Sequence, residues 1–186
     1  MIKFGKTIAL APFVIIIGCE DNDVANAPSV YLPSQSSIIS VPTTASRFTG
    51  RVVGVTDGDT ISVMRDGKAV KVRLAGIDCP EKTQPYGNAA KQFTSNFAFS
   101  KDIAVAITDK DRYGRLVGYV ISTDGRCLNA ELLSAGLAWW YKQYSNDKRL
   151  EAIEQDARNR KAGLWADKSP IPPWDFRRKP SPKSGR

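Results

Sequence analysis

Residues 57–74 read DGDTISVMRDGKAVKVRL, and this stretch predicts two neighbouring β-strands. Apolar and polar residues alternate along both halves of it, which is typical of strands with one buried face. The predicted inward positions are Ile61, Val63, Val70, Val72 and Leu74. The same alternation places Arg73 on the opposite face, away from the core.

Two aspartate-glycine dipeptides, Asp57-Gly58 and Asp66-Gly67, lie between the predicted strands. Such dipeptides supply the positive backbone angles of tight hairpins. The sequence therefore predicts a three-stranded meander over residues 48–56, 60–65 and 68–75.

The remaining pattern alternates helices with two more strands. An apolar stripe after Pro85 predicts a helix, because its members recur at helical spacing. Two strands and two further helices follow, over Ile103–Ile107, Leu116–Ile121, Leu128–Ser134 and Lys148–Lys161. The prediction is an α+β domain with five strands and three helices.

The N-terminus predicts an exported lipoprotein. Lys3 and Lys6 precede an apolar run over Ile8–Ile17, which at about ten residues is half the length of a membrane-spanning helix and is typical of a signal peptide. The ending Ile16-Ile17-Gly18-Cys19 resembles a bacterial lipobox, which implies lipid attachment at Cys19; the alternative is an ordinary signal with an unmodified cysteine. Either reading implies export, and the lipobox implies a membrane-anchored envelope protein of the periplasm or outer surface.

Composition then divides the chain. We predict a signal peptide at 1–18, the lipidated cysteine and a disordered linker at 19–46, a folded domain at 47–168, and a Pro-rich basic tail at 169–186. Without residues 1–18 the chain has 25 basic and 19 acidic residues, a net charge of +6. This balance suits a polyanionic partner, although soluble proteins of other classes carry similar charge.

Residue usage excludes some chemistry. The chain has no histidine. A carboxylate or a metal-bound water must therefore do any acid-base work near neutral pH.

Apart from Cys19, the cysteines are Cys79 and Cys127. Export permits a disulfide between them, and two buried thiols are the alternative.

Three turn-rich segments, DGDT at 57–60, RLAGIDCPE at 73–81 and DRYGR at 111–115, together contain five carboxylates and three arginines. Carboxylates bind hard divalent cations and position water, and guanidinium groups stabilise charge that grows on phosphoryl oxygens. Asp59 and Asp78 are the predicted direct metal ligands because both lie at strand ends that a hairpin brings together. The pattern predicts metal-assisted attack on a phosphodiester.

The order and spacing of these segments resemble the staphylococcal nuclease (thermonuclease) family. The resemblance runs from about Phe48 to Trp165 and includes Gly136-Leu137-Ala138 and Gly163-Leu164-Trp165. It implies a five-stranded OB-type β-barrel with three added helices.

The same resemblance implies the roles of particular residues. The catalytic residues would be Arg73, Glu81 and Arg115. Calcium, Ca²⁺, would be held by Asp59, Asp78 and the backbone carbonyl of Cys79, where the best-known member has threonine, and Asp57 and Glu81 would act through water. Terminal phosphate and bases would be contacted by Arg112, Tyr113 and Tyr144.

The resulting expectation is a monomeric, calcium-dependent nuclease that hydrolyses DNA, and RNA as a second substrate, with little sequence preference and leaves 3′-phosphates. Two other readings stay open. One is a catalytically silent OB-type lipoprotein that binds nucleic acid, and the other is a structural envelope lipoprotein. Whether Glu81 removes a proton or only positions water is left open by the sequence.

Overall fold

The computed structural model describes residues 45–178. The predicted signal peptide, Cys19, nearly all of the predicted linker and the end of the basic tail lie outside this range. Within it, no helix is both long and apolar enough to cross a lipid bilayer.

Five strands form a barrel: β1 Ser46–Val55, β2 Thr60–Arg65, β3 Lys68–Leu74, β5 Asp102–Lys110 and β6 Leu116–Ser122. The barrel closes in the order β1-β2-β3-β6-β5. The pairs are antiparallel except β3 with β6, which run parallel with Arg73 opposite Val117. The predicted meander and five-stranded barrel are confirmed.

Four helices lie outside the barrel strands in the part of the chain that the structure describes, where three were predicted. Their bounds are α1 Gly87–Ala98, α2 Leu128–Ser134, α3 Lys148–Asn159 and α4 Pro173–Arg178, and a 3₁₀ turn covers Gly163–Ala166. The prediction missed α4 because six residues are too few for helical periodicity and its prolines suggested a loop. Proline is nevertheless well suited to a first helical position, since its fixed φ fits and its missing N–H is not needed there.

A second, two-stranded sheet pairs β4, Ile77–Asp78, with β7, Trp139–Trp140. Tyr141 continues this contact by donating its N–H to the carbonyl of Gly76 at 2.9 Å. The small sheet fixes the turn after β3 against the segment before α3.

Two hydrophobic clusters stabilise the domain. The larger fills the barrel and includes the predicted inward residues Ile61, Val63, Val72 and Leu74, together with residues of α1 and α2. The smaller contains Trp139, Ala157, Leu164 and Trp165, and Trp174 of α4 packs on it. The Lys148–Asn159 helix is therefore shared, because Leu150 belongs to the barrel cluster and Ala157 to the smaller one.

The two aspartate-glycine turns differ in their backbone. Asp66 and Gly67 both have positive φ, 50° and 77°, as predicted for a tight hairpin. Neither Asp57 nor Gly58 has a positive φ, so the predicted positive backbone angles at Asp57-Gly58 were wrong. A Cβ at Gly58 would lie 2.7 Å from Cβ of Ala90 and 2.8 Å from Cβ of Cys79. Close packing, rather than backbone conformation, requires glycine there.

Candidate active site

The ends of three strands bring the predicted site residues together. Asp59 immediately precedes β2, Arg73 is the penultimate residue of β3, and Asp78 ends β4. The carbonyl of Asp59 accepts a hydrogen bond from the N–H of Leu74 at 2.8 Å, and Thr60 lies opposite Arg73 in the sheet. These backbone contacts fix Asp59 beside Arg73.

Arg73 bridges the two aspartates that were predicted as metal ligands. Its Nη1 lies 3.1 Å from Oδ2 of Asp59, and its Nη2 donates to Oδ1 of Asp78 at 2.8 Å. Nη1 also donates to the carbonyl of Leu74 at 3.1 Å. A guanidinium group has five N–H donors, so these three contacts leave two for a further anion. The side chain is 15% exposed.

Asp59 is a carboxylate held in an unfavourable environment. Its residue is 6% exposed. Burial raises the pKa of Asp59 to about 7, Arg73 opposes this shift, and the carboxylates of Asp57 and Asp78 add to it. A buried carboxylate beside two others is stabilised in its charged form by any cation that binds there.

Asp57 and Cys79 contact Asp59 from either side. Oδ1 of Asp57 accepts from the N–H of Asp59 at 3.1 Å, and the N–H of Cys79 donates to Oδ2 of Asp59 at 2.7 Å. Cys79 was predicted to contribute its carbonyl to a metal, whereas the contact that the structure records is made by its N–H.

Cys79 and Cys127 are buried free thiols, so the alternative of a disulfide is not realised in this structure. Burial raises the pKa of the Cys79 thiol well above its usual value, and the nearby Asp59 adds to the shift. The thiol is therefore a poor nucleophile and a poor candidate for oxidation.

Glu81 joins this cluster through a residue that the sequence analysis had not selected. Nη1 of Arg177 donates to Oε1 of Glu81 at 2.7 Å, and Nη2 of Arg177 donates to Oδ2 of Asp78 at 2.8 Å. Arg177 lies 96 residues beyond Glu81 on α4. The one sequence signal was a run of basic residues after Pro172 and Pro173, which carries no information about position.

Arg115 lies at the start of β6, beside β3. Its Nε donates to Oδ2 of Asp111 at 2.7 Å, and Oδ1 of Asp111 accepts from the N–H groups of Tyr113 and Arg115. The structure therefore gives Arg115 a carboxylate partner outside the Asp59–Asp78 cluster. Because Leu116 pairs with Val72 in the parallel β3–β6 ladder, Arg115 is anchored next to the strand that carries Arg73.

The predicted nucleic-acid-binding residues lie on the surface. Tyr113 is 69% and Tyr144 is 77% exposed, the two highest values among the exposed large apolar residues that the structure describes. Nη2 of Arg112 donates to the Tyr113 hydroxyl at 2.8 Å. This hydrogen bond raises the pKa of Arg112, and the charge interaction with Tyr144 adds to the shift. The guanidinium carbon of Arg112 lies 4.9 Å from the centroid of the Tyr113 ring, and exposed aromatic rings beside a cation suit base stacking.

The donors fit a hard cation, although no group of three acidic or cysteine side chains forms a metal site within residues 45–178. Two buried carboxylates, Asp59 and Asp78, are held close by one arginine, and oxygen is the ligand atom that calcium prefers. The remaining ligands would have to be backbone carbonyls and waters. Calcium accepts both in a loose shell, so this donor set is compatible with it.

Comparison with known proteins agrees with this fold. The sequence profile described as staphylococcal nuclease homologue matches residues 71–167. An uncharacterized endonuclease of Escherichia coli O157:H7 is 43% identical over 147 residues, covering 79% of this chain and 96% of that protein. A micrococcal nuclease of Shigella flexneri is 37% identical over 151 residues, covering 76% of this chain and 86% of that protein.

The fold is an OB-type barrel, and its candidate active site is a cluster of carboxylates and arginines. The chain belongs to the staphylococcal nuclease family. This membership supports nuclease activity in general and a nucleic acid as substrate. The matched profile contains Arg73, Asp78, Glu81 and Arg115, whereas Asp59 and Arg177 lie outside it.

Proposed function

We propose that this protein is a calcium-dependent nuclease that hydrolyses phosphodiester bonds of DNA, with RNA as a second substrate class, and leaves 3′-phosphates. The observation that carries the proposal is the placement of Arg73, which contacts both Asp59 and Asp78 and keeps two N–H donors without a recorded partner among residues 45–178. That arrangement would combine a cation site with a phosphate ligand in one cluster.

Calcium, when bound, would supply positive charge beside the scissile phosphate. Asp59 and Asp78 would hold it, with the carbonyl of Cys79 as a further ligand and Asp57 acting through water. Asp59 would gain from the cation because its burial and the neighbouring carboxylates disfavour its charged state.

The other residues would act on the substrate directly. The free edge of Arg73 would donate to a phosphoryl oxygen and stabilise the charge that grows there. Arg115 would contribute a second guanidinium, for which it must share or release its ion pair with Asp111. Glu81 would orient the attacking water through the oxygen that Arg177 does not occupy. Arg112, Tyr113 and Tyr144 would bind the adjoining nucleotides.

A cleavage assay on a fluorescent single-stranded oligonucleotide tests this function. Cleavage should require calcium, stop on addition of chelator and return when calcium is restored. Full activity in chelator would contradict the metal-dependent mechanism.

Two substitutions separate an enzyme from a binding module. Glu81→Gln should lose turnover and keep substrate affinity, because it removes an interaction needed mainly in the transition state. Arg73→Lys should lose on the order of a hundredfold in rate, because an ammonium group does not reproduce the planar fork of a guanidinium group. The matched controls are Glu151→Gln and Arg51→Lys, which alter exposed ion pairs elsewhere.

Parental rates in both site variants would favour the silent nucleic-acid-binding module. If, in addition, the chain fails to bind DNA at low salt, the structural envelope lipoprotein becomes the better reading. Size-exclusion chromatography with light scattering checks the proposed monomer.

Export and lipid anchoring form a separate part of the proposal, supported by Lys3, Lys6, the short apolar run and Gly18-Cys19. Cys19→Ser should leave the protein unprocessed by the lipoprotein pathway and unlabelled by radioactive palmitate, without disturbing the domain. Labelling that persists in this variant would refute lipidation at Cys19.

A further inference from the structure

A C-terminal arm, residues 167–178, extends from the second hydrophobic cluster to the carboxylates of the site. Trp174 stacks on Tyr141 with ring centroids 5.2 Å apart and an interplanar angle of 4°, and it meets Trp139 edge-on at 5.7 Å. Nε2 of Gln84 donates to the carbonyl of Ile171, which ties the arm to the turn that follows Glu81. These contacts fix α4 against the domain.

The arm places Arg177 beside Asp78 and Glu81. Its guanidinium group contacts both oxygens of Asp78, at 2.8 and 3.4 Å, and Oε1 of Glu81 at 2.7 Å. The adjacent Arg178 instead pairs with Asp175 of the same helix, at 3.3 Å, and its side chain is 72% exposed. Two neighbouring arginines of one short helix thus have different environments.

Glu81 needs such a partner to occupy one position. It follows Pro80 in a turn outside regular secondary structure, and its side chain is 41% exposed. Its backbone is held by Gln84, whose Oε1 accepts from the N–H of Glu81 and whose N–H donates to the Glu81 carbonyl. The recorded side-chain contact of Glu81 is the one to Arg177. The backbone N–H and carbonyl of Glu81 are thus held by Gln84, and its Oε1 is held by Arg177. These contacts together fix the direction in which Oε2 points.

The total charge of the cluster allows Arg177 to stay in place when a divalent cation binds. Four carboxylates, from Asp57, Asp59, Asp78 and Glu81, face two guanidinium groups, from Arg73 and Arg177. When all four are ionised, the cluster keeps two negative charges, which equals the charge of one divalent cation. Arg177 and a bound cation are therefore compatible in total charge.

We propose that Arg177 is a positioning residue of the active site, which holds Glu81 in the orientation that serves the attacking water. This inference rests on the proposed function. It assigns the C-terminal arm to the active site, although the arm lies more than 90 residues from the carboxylates that it contacts.

The test compares Arg177→Gln, Arg177→Lys and the control Arg178→Gln in the purified protein at saturating calcium. Arg177→Gln should lower kcat by about 10- to 100-fold, since misplacing a reacting group by about 1 Å has effects of that size, and should leave KM within roughly threefold. Arg177→Lys should recover part of the rate because it restores charge without the fork. Arg178→Gln should match the parent.

A double-mutant cycle with Glu81→Gln shows whether Arg177 acts through Glu81. In the Glu81→Gln background, Arg177→Gln should change kcat by less than roughly threefold, because residues that act as a unit are not additive. Two measurements without turnover exclude other roles. Affinity for a labelled single-stranded oligonucleotide in chelator should be unchanged, and the unfolding temperature should fall by less than about 4 °C, which corresponds to under 1 kcal/mol.

Several results would overturn the inference. A higher rate for Arg177→Gln at limiting calcium, with an unchanged rate at saturation, would make Arg177 an inhibitory contact. A loss of oligonucleotide affinity equal to the loss of rate would make it a phosphate ligand. If Arg177→Gln lowers kcat as much in the Glu81→Gln background as in the parent, Arg177 does not act through Glu81. Each of these requires a parent that cleaves; a parent that does not cleave overturns the proposed function and this inference together.

Discussion

Gly58→Ala is the substitution for which the structure gives the clearest expected magnitude. The added Cβ would lie 2.7 Å from Cβ of Ala90, 2.8 Å from Cβ of Cys79 and 2.9 Å from its Sγ. Carbon atoms in good contact are separated by about 3.5–4.0 Å, so each neighbour must move by about 1 Å. Both neighbours are buried, and the carbonyl of Gly58 accepts a hydrogen bond from the Thr94 hydroxyl, which opposes a shift of the turn.

The expected cost follows from this crowding. Overpacking in a well-packed core costs about 1–3 kcal/mol. For a domain of this size, that corresponds to a fall in the unfolding temperature of about 3–15 °C. Catalysis should suffer as well, because Cys79 donates to Asp59 and a shift of about 1 Å at a site residue can cost about a hundredfold in rate.

Differential scanning calorimetry and the cleavage assay measure the two effects. Gly54→Ala is the matched control, since its Cβ would meet Ser62 at 3.5 Å, an ordinary contact. If Gly58→Ala unfolds and cleaves as Gly54→Ala does, the turn adapts freely and the packing argument is refuted.

Three further predictions concern the metal, the core and a helix cap. Calcium at about 100 times its dissociation constant should stabilise the protein by about 2.7 kcal/mol in calorimetry; Asp59→Asn should lose most of this gain, and equal stabilisation of the variant would contradict the predicted ligand. Glu131→Met should stabilise the protein to urea by at least about 1 kcal/mol, because Glu131 is fully buried and neither carboxylate oxygen has a partner among the described residues. The control Glu151→Met, at a side chain that is 44% exposed, should leave the stability unchanged. A destabilised Glu131→Met would show that the buried carboxylate contributes to stability, which contradicts this prediction. Asp147→Ala should cost about 1 kcal/mol at pH 7, since Asp147 caps α3. Hydrogen bonding to Arg149 lowers the pKa of Asp147, so this contribution is present above the unfolded-state value of about 3.9 and is lost as the pH falls through the lower folded-state pKa; a cost that persists at pH 2 would refute that origin.

The barrel was predictable because its information is local. Alternation along β2 and β3 selected Ile61, Val63, Val70, Val72 and Leu74; four of them are fully or almost fully buried, whereas Val70 is half-buried. Asp66-Gly67 gave the correct turn for the correct reason, because a two-residue hairpin constrains φ within the dipeptide itself. The requirement for glycine at Gly58 comes from Ala90 and Cys79, which are distant in sequence, so no local pattern could reveal it.

The candidate site was predictable to a similar limit. Asp59, Arg73 and Asp78 lie at the ends of strands that pair with each other or follow in sequence, and the structure brings them into contact. The partner of Glu81 is Arg177, which reaches it through α4. A run of arginines after prolines indicates charge but not where it docks, and docking depends on aromatic contacts with Tyr141 and Trp139.

The two hydrophobic clusters give the barrel and the C-terminal arm separate sources of stability. Asp59 and Arg73 are fixed by β2 and β3, whose side chains belong to the barrel cluster. Arg177 is fixed by α4, and Trp174 packs on the smaller cluster of Trp139, Ala157, Leu164 and Trp165. Because proteins open locally at their less stable parts, we expect α4, which packs on the smaller cluster, to undock before the barrel unfolds. The Arg73 bridge between Asp59 and Asp78 would survive such an opening, whereas the Arg177 contact with Glu81 would not. Arg177 also contacts Asp78, and Asp78 pairs with Trp139 of the smaller cluster, so under the proposed function an opening of α4 would disturb the orientation of Glu81 most and the proposed ligand Asp78 in part.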